Sequence, residues 1–165
     1  MLGALIMFDF GPANSLLLAI ATLVNDYWTE AVIVITVAGT WYYRREPRRA
    51  LTLALSVSLA IAVTALLKDA YAIARPCLAT AALIPCPPTY SFPSNHAASA
   101  FAFVASFMGR RPFYVLFPLM LLVVFTRLWL GVHTLTDVLA GTVIGIVSYF
   151  VAKEIIDRLA GHRVG

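Results

Sequence analysis

His133 and Asp137 stand four residues apart in the stretch TRLWLGVHTLTD, residues 126–137, and Arg127 precedes the histidine by six. On a helix, residues four apart are neighbours on one face. A carboxylate there accepts the proton of His133 Nδ1 and fixes the ring, which leaves Nε2 unprotonated and nucleophilic. Arg127 brings a planar fork of donors suited to phosphate oxygens. A second stretch, KDAYAIARP at 68–76, spaces Lys68 and Arg75 by two helical turns, so both face one way if the helix continues to the break at Pro76. Two cations at a helix end suit an anion. In a third, PSNH at 93–96, Ser94 is a candidate N-cap for the apolar run that follows. A helix start offers free N–H groups to an anion, Ser94 adds a hydroxyl, and His96 falls in the first turn.

Taken singly, each stretch has an ordinary structural explanation. Lys68 and Arg75 could snorkel to lipid headgroups, His96 could be a structural residue, and His133 with Asp137 could tie down a helix start. Taken together, three cations, two histidines and one orienting carboxylate match phosphoryl transfer to histidine. The cations hold the phosphate oxygens and stabilise the transition state. His133 attacks in line; His96 protonates the leaving alcohol and then activates water. This chemistry calls for no metal and no cofactor. No HExxH, no carboxylate cluster, no Cys/His ligand spacing and no P-loop is present in the sequence.

The elements that must position these groups are membrane helices. The chain has 165 residues, 61% of them hydrophobic and 12% charged, with mean hydropathy +0.87. Soluble domains carry roughly a quarter charged residues. A span needs about 20 apolar residues, and five candidates run roughly 27–43, 50–67, 94–108, 112–130 and 135–156. The expected fold is an all-α polytopic bundle of five or six transmembrane helices in one domain, 1–165. Residues 1–25 are expected to form a short interfacial or partly inserted helix, or part of a sixth span. The opening MLGALIMFDF lacks the basic region of a secretory signal.

Charge sets the expected orientation, because cytoplasmic loops collect Lys and Arg. Arg44, Arg45, Arg48, Arg49, Arg110, Arg111, Lys153, Arg158 and Arg163 fall on one side of alternating spans. The other three of the twelve basic residues are Lys68, Arg75 and Arg127, all within the three stretches. The net charge of +4 therefore reads as topology, not as nucleic-acid binding. The site is expected to face the outside of a plasma membrane.

At this point the sequence resembles the type-2 phosphatidate phosphatases, a family that includes vanadium haloperoxidases. That family carries K-x6-RP, PSGH and SR-x5-H-x3-D stretches in this order. Lys68 to Pro76 matches the first, Pro93 to His96 the second with Asn95 for glycine, and Thr126 to Asp137 the third with Thr126 for serine. The resemblance implies His133 as nucleophile, Asp137 as its partner and His96 as acid and base. It implies Lys68, Arg75, Ser94, Asn95 and Arg127 as phosphate contacts. Asn95 keeps a backbone N–H and Thr126 keeps a hydroxyl.

Membrane members of the family cut phosphate from lipids. Size and an outward site look most like the polyprenyl diphosphate phosphatases of lipid-carrier recycling. Phosphatidate, phosphatidylglycerol phosphate and small soluble phosphates are alternative substrates. A non-enzymatic lipid-phosphate binder or transporter is the alternative of another class, and the sequence does not speak to oligomeric state. Cys77 and Cys86 lie in the loop between the first two stretches, on the side where a disulfide persists. A bridge between them is expected, with two free thiols the alternative.

Overall fold

The computed structural model describes residues 13–161. Six α-helices follow one another: α1 (Ala13–Asp26), α2 (Trp28–Tyr42), α3 (Pro47–Tyr71), α4 (Asn95–Ala105), α5 (Phe113–Trp129) and α6 (Leu135–Gly161). A single 3-10 turn, Pro76–Leu78, interrupts the long α3–α4 connection. The described residues are all-helical apart from loops and turns, as the apolar runs predict. Residues 1–12, part of the predicted N-terminal helix, lie outside the described residues.

The short helix α4 is the hub. Every residue from Ala97 to Ala105 is buried, although the helix is only 11 residues long. Its composition explains this: Ala97, Ala98, Ala100, Ala102 and Ala105 let neighbours close in, while Phe101 and Phe103 fill the gaps between them. On the α6 side the neighbours close in completely. A Cβ on Gly141 would lie 2.4 Å from the Ser94 carbonyl oxygen, and one on Gly145 would lie 2.3 Å from that of Ala98. Such close backbone approach is the use that membrane bundles make of small residues spaced by four. The rest of the core, Trp28, Val32, Tyr43, Leu53, Val57 and Phe107, wraps α4 from α2, α3 and the following turn.

The long helices meet the dimensions of a bilayer. α3 has 25 residues and α6 has 27, and each is apolar enough to cross. At 1.5 Å per residue they reach about 37 and 40 Å. α1 and α2 together form a third apolar length, bent by 77° at the break. At 17 residues α5 is a shorter apolar helix. The expected tally of five or six spans includes α4 and α5, which fall below the length of a free-standing span.

One sequence expectation needs correction. α3 does not run on to Arg75. It stops at Tyr71, where Ala72 adopts a left-handed conformation (φ 46°) and returns its N–H to the Lys68 carbonyl. Pro76 also restricts the residue before it, and Arg75 is extended at ψ 147°. Arg75 therefore approaches Lys68 from a loop rather than from the same helical face.

Candidate active site

Lys68, Arg75, Asn95, His96 and His133 line one cavity of about 300 Å3 at one end of the bundle, together with Asn25, Trp28, Thr64 and Thr89. Each comes from a different part of the chain. Lys68 is in the last turn of α3, and Arg75 is in the loop after it. α4 begins at Asn95 and places His96 in its first turn. Ser94 is its N-cap and accepts from the Ala97 N–H at 3.5 Å. His133 ends the α5–α6 turn, and Asp137 lies in the first turn of α6.

The hydrogen bonds of His133 assign its proton. Arg75 Nη1 lies 3.1 Å from His133 Nε2. A guanidinium only donates, so Nε2 accepts and keeps its lone pair toward the cavity. Nδ1 then carries the proton, 3.4 Å from Asp137 Oδ2. That separation is longer than a well-formed hydrogen bond, and Nδ1 has no aligned partner. Asp137 is itself firmly held: Oδ2 accepts from the Thr134 N–H at 2.7 Å and from the Ser91 hydroxyl. Burial pushes the His133 pKa down to about 4, with Asp137 opposing and the Arg75 and Lys68 charges adding to the fall. The ring is neutral at physiological pH, as a nucleophile must be.

The two cations of the cavity are oriented by the α3–α4 loop. Arg75 Nε donates to the Thr89 carbonyl at 2.7 Å and Nη2 to the Thr89 hydroxyl at 2.8 Å, while Nη1 also reaches the Val132 carbonyl at 3.0 Å. Burial lowers the pKa of Arg75 from the ordinary guanidinium value, and Asp137 acts against that fall. Lys68 Nζ donates to the carbonyls of Tyr90 and Ser91, the latter at 3.2 Å. A disulfide between Cys77 and Cys86, with Cα atoms 5.7 Å apart, closes the loop that carries these contacts.

Arg127 sits elsewhere. It is fully buried, behind His96 rather than on the cavity wall. Its Nη1 lies 3.0 Å from Asn25 Oδ1 and 3.2 Å from His96 Nε2, and its Nη2 donates to the Ala21 carbonyl at 3.2 Å. Thr126 Oγ1 accepts from Nε and Nη2. The imidazole of His96 stacks on Trp28, with centroids 5.0 Å apart. Ser94 and Asp137 also stand behind the wall, both buried. Asn95 faces the cavity, where its Oδ1 accepts from the Thr64 hydroxyl at 3.0 Å.

Sequence reasoning passed over Asn25, Trp28, Thr64, Thr89 and Ser91. Only Asn25 carried a signal, as a polar residue breaking an apolar run. Among the described residues no group of three His, Cys, Asp or Glu side chains is placed to hold a metal ion.

Comparison with known proteins gives the family and the fold. The model of the PAP2 superfamily matches residues 49–159, a range that contains all three stretches. The chain belongs to the PAP2 superfamily. An uncharacterised protein of Methanocaldococcus jannaschii is 35% identical over 83 residues, which are 46% of this chain and 35% of that protein. The chain thus spans about a third of the length of that curated relative. Two crystal structures share the fold. One is a transmembrane PAP2-type phosphatidylglycerolphosphate phosphatase from Bacillus subtilis, with a TM-score of 0.67, 23% identity, and coverage of 94% of this chain and 82% of that one. The other is LpxE of Aquifex aeolicus, with a TM-score of 0.71, 22% identity and 91% of each chain covered.

Proposed function

We propose that this protein is a metal-independent membrane phosphatase that hydrolyses a lipid phosphate or diphosphate through a phosphohistidine. The observation that carries the reading is His133 Nε2, held with its lone pair toward a cavity that also contains Arg75 and Lys68. The terminal phosphate enters between these cations and takes the donors that loop carbonyls hold. His133 Nε2 attacks phosphorus, and the bond from phosphorus to the lipid oxygen breaks. Asp137 stabilises the charge that spreads onto the ring through the Nδ1 proton. The phosphate draws Arg127 toward its oxygens and frees His96 Nε2, which takes up a proton from solvent and passes it to the leaving oxygen. His96 then takes a proton from water. The resulting hydroxide attacks phosphorus and releases inorganic phosphate and His133. Preorganised cations supply the stabilisation of developing charge.

The favoured substrate is a polyprenyl diphosphate, cleaved to its monophosphate in lipid-carrier recycling. The site faces outward across a plasma membrane, and 1–165 acts as one domain. Phosphatidate or phosphatidylglycerol phosphate is the second substrate reading; the Bacillus neighbour is described as acting on the latter. Purified protein in detergent with EDTA, offered a polyprenyl diphosphate beside phosphatidate, tests both. Phosphate release that survives EDTA and disappears in His133→Ala is expected, with the diphosphate faster. Release that EDTA abolishes, or that His133→Ala retains, would overturn the mechanism. Faster release from phosphatidate would replace the substrate.

A further inference from the structure

A second polar cavity, of about 310 Å3, lies at the opposite end of the bundle. α3 contributes Arg48, Arg49 and Thr52 to it, α6 contributes Tyr149 and Lys153, and buried Ser106 comes from the end of α4. The spacing explains the convergence. Arg48 and Thr52 are four apart on α3, and Tyr149, Lys153 and Asp157 follow at intervals of four on α6, so each set shares one helical face. Nothing in the catalytic reading uses these residues.

Its charge is not balanced from within. Asp157 is engaged by Lys153 at 2.7 Å. Glu46 serves two guanidiniums at once, those of Arg49 at 2.9 Å and Arg110. Arg48 has no carboxylate partner among the described residues. The cavity therefore combines excess cation with the Tyr149 hydroxyl, while those of Thr52 and Ser106 already donate to the Arg48 and Ala102 carbonyls; the cations are the groups that phosphate oxygens require. It also lies near the ends of α3 and α6, the two helices long and apolar enough to cross a bilayer, and the ends of such spans meet lipid headgroups. Basic pockets between spans on this kind of surface hold anionic headgroups.

We propose that this cavity binds the phosphate headgroup of an anionic membrane lipid, as a site separate from the catalytic cavity. The full chain, purified in mild detergent, would be mixed with phosphatidylglycerol or phosphatidylcholine and examined for retained lipid by native mass spectrometry. Phosphatidylglycerol is expected to remain bound in preference to phosphatidylcholine. Retention should persist in Arg75→Ala, which disables the catalytic cavity. It should weaken about thirtyfold in Arg48→Gln/Lys153→Gln, given the contribution of each cation near an anionic surface. Arg48→Lys should keep most of it, and phosphate release by Arg48→Gln should match the parent. Millimolar inorganic phosphate should not displace the lipid. Equal retention of the two lipids would overturn the proposal. So would loss in Arg75→Ala with retention in the double variant. Binding of inorganic phosphate alone, with no lipid held, would show a soluble anion site instead. These outcomes are independent of whether the opposite cavity hydrolyses lipid phosphates.

Discussion

His133 is a buried imidazole and the proposed nucleophile, so in that mechanism its proton affinity decides the acid side of catalysis. Its deprotonated form is the active one, and its pKa lies at about 4. As pH falls through 6.5, where an ordinary histidine gains its proton, kcat/KM set by this group should stay level and decline only near pH 4. A pH profile on a substrate whose own ionisation is complete above pH 4 checks this; an acid limb at 6.5 would contradict it. Asp137→Asn should reduce kcat on the order of 10³-fold or more, since the wrong tautomer is then favoured, as in serine hydrolase triads. The limb should also move to lower pH, because Asp137 raises the His133 pKa. These residues were legible in the sequence because a chain so poor in charge makes each ionisable residue conspicuous. Thr89 and Asn25 were not. They act by binding Arg75 and Arg127 from 14 and 102 residues away, and only the folded chain brings them there.

At the level of elements, the site depends on how closely α4 and α6 approach. α4 presents Ser94, Asn95 and His96, and α6 presents Asp137; Gly141 and Gly145 set their separation. A methyl group at either glycine meets backbone, which cannot swing away as a side chain can. Gly145→Ala should therefore destabilise the protein by about 1–3 kcal/mol, the usual cost of overpacking. Gly141→Ala, next to Ser94, should in addition lower kcat. Thermal unfolding in detergent alongside turnover separates the two effects. The glycine spacing was open to a sequence reading as a small-residue repeat, but nothing in it named the partner helix. The helix ends were less legible. The proline after Arg75 gave a plausible stop, yet Ala72 ends α3 four residues earlier. The loop that follows is stapled by Cys77 and Cys86. Closing about ten residues this way is worth about 2–3 kcal/mol in the entropy model. Cys77→Ser/Cys86→Ser should lose stability on that scale. It should also raise KM more than it lowers kcat, because the loop orients Arg75 and Lys68 rather than the nucleophile.

Across the whole molecule, charge is divided between two ends. One end holds Lys68, Arg75, His96 and His133; the other holds the arginines around the start of α3 and after α4. With nine of twelve basic residues at the second end or in the C-terminal tail, the positive-inside rule predicts that the catalytic end is external. In intact cells, a membrane-impermeant thiol reagent should label Thr136→Cys at the catalytic end and leave Arg111→Cys unlabelled until the cells are opened. The reverse pattern would invert the topology. The bundle class could be read from hydropathy, and the gathering of the three motifs at one end from the charge pattern, because lipid imposes both on the sequence. The 77° elbow between α1 and α2 could not, since a bend leaves the hydropathy of either arm unchanged.

That elbow bears on how the protein is made. Arg127 is fully buried, and a guanidinium in hydrocarbon without partners is costly. Two of the acceptors that satisfy it, the Ala21 carbonyl and Asn25 Oδ1, belong to the first helix. The ribosome finishes α1 about a hundred residues before it reaches Arg127. The early helix must therefore wait at the membrane until α5 arrives, and α5 settles fully only by closing on it. The first and fifth helices thus check each other during biogenesis.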